Sequence, residues 1–183
     1  EQIAHARRIA EAKAARERAQ EAQKQAASDT ADTIWANATP ASDDHPYLQR
    51  KGIQAHGLRV TGDGRLIAPM MGQSGGVASL QFIAADGDKR FLSCGAVKGA
   101  SWMVGAWLDT GAVYIAEGVA TAASIHAVTG QPCVVAFSAG NLPAVASFLR
   151  GIAGQARELV IVADNDESGT GEREGRKAAA ESG

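Results

Sequence analysis

A chain of 183 residues with a formal net charge of −2 has room for one domain or two small ones, and no global basic excess with which to hold nucleic acid. A hydrophobic content of 45% suffices for a core, while two distant cysteines, Cys94 and Cys133, without Cys or His at metal-ligand spacing, exclude a zinc module and a disulfide framework. The absence of a signal peptide and of any run of about 18 apolar residues leads us to expect a soluble, cytoplasmic protein with no membrane partner. Beginning at charged Glu1 and stopping inside a helical pattern, the chain is expected to be a piece of a longer protein.

The first 28 or so residues are Ala, Glu, Lys, Arg and Gln, with Ile3 and Ile9 as the large apolar side chains. All are good helix formers, so a helix of roughly 40 Å is predicted. No apolar heptad is sustained, which favours a solvated helix or linker over a coiled coil. "SDTADTIW" closes this tract, and 1–36 is read as a charged helix or linker. Residues 37–110 form a second segment, read as a small α+β subdomain. A turn-rich "ATPASDDHP" leads into a short helix at "YLQRKGI". "RLIAPMM", "VASLQFIA" and "RFLSC" then alternate with Gly- and Asp-rich turns, the pattern of an antiparallel meander, and "GASWMVGAWL" closes the segment.

From 111 to 183 the rhythm is different. Strands at "VYIA" (113–116), "CVVAF" (133–137) and "LVIVA" (159–163) alternate with helices at 119–128, 142–152 and from 172 onward. Continuous apolar strands in β-α order predict an α/β fold: a parallel sheet with helices on both faces, joined by right-handed crossovers. Ligands bind such sheets outside the carboxyl ends of the strands. Glu117 and Gly118 follow the first strand. Ser138, Ala139, Gly140 and Asn141 follow the second. Asp164, Asn165 and Asp166 follow the third. Converging carboxylates repel one another unless a cation intervenes, and hard oxygen donors without His or Cys select Mg²⁺ or Mn²⁺. Gly118 and Gly140 remove side chains where a phosphate or metal would approach. The stretch around Asp164 is not an EF-hand, because its twelfth position is Gly175 rather than Glu and a strand precedes it. The glycines 169, 171 and 175 miss the dinucleotide spacing by one, and no Gly-Lys-Ser/Thr loop is present.

The order strand-Glu-Gly, strand-x-x-Gly, strand-Asp-x-Asp resembles the Toprim domain, shared by bacterial-type primases, type IA and type II topoisomerases, OLD-family nucleases and recombination proteins. The likeness covers roughly 111–183. Upstream, residues 64–105 are similar to the N-terminal part of the primase catalytic core: Pro69 at a strand end, the 72–76 turn, the strand 77–83, Lys89-Arg90-Phe91-Leu92-Ser93, Lys98-Gly99 and Gly105. "HPYLQRKGI" (45–53) resembles the primases of conjugative plasmids, integrative elements and phages. Three features of those primases are missing: an Arg just after the strand 77–83, a fourth Toprim strand with its helical domain, and the zinc-binding module.

The resemblance implies synthesis of short primers on single-stranded DNA by metal-dependent nucleotidyl transfer, with nucleoside triphosphates as substrates and a replicative helicase or helicase domain as partner. It implies Asp164 and Asp166 as ligands of Mg²⁺ or Mn²⁺, and Glu117 as ligand or general base. Lys89, Arg90 and Lys98 would face the triphosphate or template, along with Gly118, Gly140 and Asn141. Arg50, Lys51 and Arg59 are weaker template candidates, and Glu167 is a bystander. Phe91, Trp102 and Trp107 are expected in the core, His126 in a structural role, and His45 and His56 exposed. Two alternatives stay open: an OLD-like Toprim nuclease using the same carboxylates, and a non-catalytic DNA-binding or partner-docking module with the long helix as its handle.

Overall fold

The computed structural model describes residues 2–165 and 167–183, with side chains from residue 5 onward. Helix α1 runs from Gln2 to Asn37, past the predicted end of the charged tract. The extension has a physical cause in its last three turns. Ala27, Ala31, Ile34 and Trp35 recur at helical spacing and pack on one sheet, while Ser28 Oγ donates to the carbonyl of Val77 at 2.7 Å. The preceding turns stay exposed and are laced by pairs such as Arg7–Glu11.

The first sheet is antiparallel, with strands β1 (Thr39–Pro40), β2 (Arg59–Val60), β3 (Leu66–Met71), β4 (Val77–Ile83) and β5 (Lys89–Phe91) in sequential order. Short helix α2 (Pro46–Lys51) precedes β2. Its first turn is capped by His45, whose Nδ1 accepts from the Tyr47 amide, and Gly52 ends it at φ 64. His45 Nε2 also lies 2.9 Å from the carbonyl of Gly64, so this histidine is a clasp between turns rather than a solvated side chain.

The second sheet has the order β6-β8-β7-β9. Here β6 is Trp102–Val104, β7 Val113–Ala116, β8 Cys133–Val135 and β9 Leu159–Val162. Strands β7, β8 and β9 are mutually parallel, and β6 runs antiparallel to β8 at the edge. The segment 37–110 therefore feeds both sheets, and the "GASWMVGAWL" stretch is a strand of the second. Helices α3 (Val119–Thr129), α4 (Leu142–Ala153) and α5 (Thr170–Ser182) complete the alternation.

Alternation along β7 sorts its side chains. Val113 and Ile115, with Val134, pack on Leu142, Val145, Ala146 and Leu149 of α4 and Ala178 of α5. Ala116, Cys133 and Val135 face Val119 and Ala122 of α3, together with Leu66, Ala68, Met70 and Ile83 of the first sheet. Full burial of each such Leu, Ile or Val contributes about 1.5–3 kcal/mol. The first sheet thus seals one face of the second, and one continuous core holds both. Burial among these apolar neighbours pushes the Cys133 thiol up to about 12, so it is inert packing.

Candidate active site

From central β7 the chain passes through α3 to β8 on one side. From β8 it returns through α4, on the opposite face, to β9 on the other. Right-handed crossovers in opposite directions require helices on opposite faces, and the loops after β7 and β9 consequently diverge. They leave a crevice at the carboxyl ends of those two strands. Glu117 is the first residue after β7 and Asp164 lies two residues beyond β9. The Asp164 amide donates to Glu117 Oε1 at 3.2 Å, which brings together two residues predicted to meet.

Helix α5 closes against this crevice so tightly that it needs glycine. A methyl group built on Gly171 would collide with the carbonyl oxygen of Asp164 and lie 2.7 Å from Glu117 Oε1. One turn later, a methyl on Gly175 would sit 2.7 Å from the Cβ of Ala163. The first turn of α5 therefore abuts the Glu117 carboxylate, where a helix N-terminus favours negative charge. Sequence reasoning missed these roles. The signal was present as two glycines four apart on one helical face, but it was weighed only as a dinucleotide fingerprint.

The cation comes from the other sheet. Lys89 of β5 places Nζ 3.6 Å from where a Gly118 side chain would begin, and Gly118 caps the start of α3 beside Glu117. Partial withdrawal from water lowers the Lys89 pKa below its ordinary 10.5. The nearby Lys51 ammonium adds to this, and the Asp164 charge acts in the opposite direction. Lys89, Lys51, Glu117 and Asp164 thus form one electrostatic neighbourhood across the two sheets.

Other expected residues fall elsewhere. Arg90, one position along β5, projects from the opposite face, where it pairs with Asp88 at 2.8 Å beside Phe82 and Arg65. Alternation of side chains thus removes Arg90 from the carboxylate crevice. Lys98 stands exposed on the loop between β5 and β6. Gly140 lies exposed in a single 3₁₀ turn with open space around it, so nothing there requires glycine. Asn141 is 3% exposed, and its amide is consumed internally. Its Oδ1 accepts from the Gly99 amide at 2.7 Å, and its Nδ2 donates to the carbonyls of Ala100 and Ala136 at 2.9 and 2.8 Å. Both amide donors being spent, Asn141 is a joint that ties the loop before β6 to the end of β8, not a ligand contact. Asp166 lies outside the described residues, and Glu167 is exposed.

Arg50 stacks on Tyr47 and donates to the carbonyl of Ala85, while Arg59 stacks on Trp35. Two aromatics expected in the core are at the surface: Phe91 is 39% and Trp107 36% exposed, the latter beneath the Arg157 guanidinium at 4.4 Å. Trp102 is half-buried against the core as expected. His126 Nδ1 bonds the carbonyl of Gln131, and its ring meets His56 edge-on at 5.4 Å, so both histidines are interior fittings. Among the described residues no group of three or more His, Cys, Asp and Glu is gathered for a metal ion. Glu117 and Asp164 are hard oxygen donors without nitrogen or sulfur competitors, a set that fits Mg²⁺ or Mn²⁺. No helix among the described residues is long and apolar enough to cross a membrane.

Comparison with known proteins agrees with this geometry. A Toprim domain model matches residues 112–182. The chain is 34% identical over 158 residues to a DNA primase TraC of Escherichia coli, covering 84% of this chain and 15% of that protein. A second DNA primase TraC of Escherichia coli is 36% identical over 137 residues, 72% of this chain and 9% of its own length. The chain therefore spans only a small part of these relatives. Among solved structures, the primase fragment of the bacteriophage T7 primase-helicase protein superimposes with a TM-score of 0.53 at 20% identity, over 75% of this chain and 59% of that one. T7 primase domains bound to an RNA/DNA hybrid and dTTP give the same score at 17% identity, over 73% and 72%. At these identities the likeness to the T7 proteins is one of fold.

Proposed function

The chain belongs to the Toprim-type DNA primases, and from that premise we propose that its carboxylate crevice carries template-directed nucleotidyl transfer for primer synthesis on single-stranded DNA. The observation that carries this reading is the meeting of Glu117 and Asp164 at the diverging loops of the parallel sheet, with Lys89 delivered to them from the antiparallel one. In the reaction a 3′-hydroxyl attacks the α-phosphate of a nucleoside triphosphate and pyrophosphate leaves. Divalent ions, Mg²⁺ or Mn²⁺, would hold the attacking and leaving oxygens. Glu117 and Asp164, with Asp166 by its place in the sequence, would hold those ions.

The remaining work falls to the protein's own side chains. Lys89 supplies a compact charge for the phosphates, and the lack of a side chain at Gly118 leaves them room to approach. Lys51, beside Lys89, extends the positive side of the crevice, and Lys98 serves the template backbone. The Glu117 carboxylate, braced by the Asp164 amide, is also placed to take the proton of the attacking hydroxyl. Residues 37–110 and 111–183 serve as two parts of one catalytic core, with 1–36 as a tether. By analogy with the primase-helicase, a replicative helicase or helicase domain is its working partner in the cytoplasm. The exposed length of α1 supports a second, docking role.

The test is de novo synthesis of labelled oligonucleotides on single-stranded DNA with Mn²⁺, by the full-length protein and its Glu117→Gln and Asp164→Asn variants. Each variant is expected to lose synthesis by at least about 100-fold while keeping its circular dichroism. Undiminished synthesis by either refutes the assignment, and nicking of the template in its place makes the protein a nuclease. Millimolar Mg²⁺ should raise the melting temperature of the wild-type chain relative to EDTA, because a bound cation stabilises the folded state.

A further inference from the structure

Residues Gln81, Phe91 and Lys89 share the face of the first sheet that looks toward the second. Gln81 of β4 is directly opposite Phe91 of β5, and Ile83 is directly opposite Lys89. Gln81 is only 4% exposed, yet its Oε1 is enclosed with no hydrogen-bond partner among the described residues. The Oγ of Ser79, two residues away on the same face, is enclosed and unpartnered as well. Burying an amide without a partner is costly, and a strand facing an apolar core would ordinarily carry Val or Ile there. Phe91, beside it, leaves 39% of its surface in water, although a ring on this face would ordinarily be buried. The two anomalies adjoin, and the cation of the crevice is on the same strand two residues from Phe91, about 7 Å along it.

We propose that Gln81 and Phe91 form a subsite for the base of the nucleoside triphosphate whose phosphates Lys89 receives. This inference rests on the nucleotidyl-transfer reading given above. The exposed ring offers a face on which any base can stack. The Gln81 amide carries one donor and one acceptor side by side, the complement of an adenine edge, so ATP is the preferred ligand. The hydrogen bonds missing inside the protein are those the base would supply. The subsite would thus set a preference for the nucleotide that starts a primer.

The experiment measures binding of ATP, GTP, CTP, UTP and base-free tripolyphosphate, each with Mg²⁺, to the wild-type chain and to Gln81→Leu, Phe91→Leu and Lys89→Met. Gln81→Leu and Phe91→Leu should weaken ATP by roughly 5- to 100-fold, the range of one base contact, and leave tripolyphosphate within twofold. Lys89→Met should weaken every ligand alike. Phe91→Leu keeps apolar bulk, and melting curves show that it is folded should Gln81→Leu fail to fold. Nucleotide binding unchanged in Phe91→Leu, or a parallel loss of tripolyphosphate, overturns the subsite while leaving the carboxylate reading intact. A wild-type chain that binds no nucleotide overturns both.

Discussion

The two sheets of this protein solve different problems. The parallel sheet is buried on both faces, and its strands are short, apolar and interchangeable in composition. Its chemistry is confined to the loops at one end. The antiparallel sheet is covered by α1 on one face and by the second sheet on the other. Its strands carry function within them, because alternate residues of β5 and β4 reach either the crevice or the outer surface. A site assembled from a loop edge and a strand face depends on how the two are held together, and the contrast can be tested at that join.

The largest effect is expected at Gly171. Alanine there forces α5 away from Asp164 and Glu117, so metal-dependent stabilisation and primer synthesis should both vanish, whereas alanine at the roomy Gly140 should leave them unchanged. Equal behaviour of the two glycine variants, in melting curves with and without Mg²⁺, breaks the account of the loop edge. Next comes Asn141→Leu. It removes three hydrogen bonds tying the loop before β6 to the end of β8, at a cost of roughly 2–4 kcal/mol in denaturant unfolding. An unchanged midpoint would mean that the halves need no such joint.

A smaller effect is expected from pH. Lys89 sits below its ordinary 10.5, so its ammonium is present at neutral pH and is lost at a lower pH than that of a free lysine. Nucleotide affinity should therefore fall as pH rises through this depressed value. Lys89→Arg should flatten that fall, since a guanidinium stays charged throughout. A fall of the same size in the Arg variant assigns the titration elsewhere. Smallest of all is Glu11→Ala on the exposed part of α1, where an i,i+4 pair with Arg7 contributes about 0.3–0.5 kcal/mol. Any larger change in stability shows that this stretch is not simply solvated.

What could be read from the sequence follows the same contrast. Strands at 113–116, 133–135 and 159–162 and the helices between them lie within the predicted stretches, because uninterrupted apolar runs bounded by glycine leave few alternatives. The meeting of Glu117 with Asp164 was legible too, since parallel strands put all their carboxyl ends on one side. The antiparallel half was read only as a meander. Two neighbouring basic residues, Lys89 and Arg90, looked equivalent on paper. A period of two sends them to opposite faces, and no composition argument tells which face meets the crevice. Phe91 and Trp107 were misplaced because exposure depends on where the second sheet ends. Asn141 was misread because its partners, Gly99 and Ala100, lie some forty residues away.

Strand β6 has a practical consequence. Its residues come from the first half of the chain, yet they close the β8 edge of the second sheet, and Met71 bridges to Ser101 just ahead of it. Cutting the chain at residue 110 for separate production would strip that hem. The β8 backbone would then present an open row of amides and carbonyls over Cys133 and Val135, inviting copies to zip together edge to edge. A soluble excised Toprim piece calls for a start before Trp102, and co-expressed fragments split at 110 should find each other through this strand.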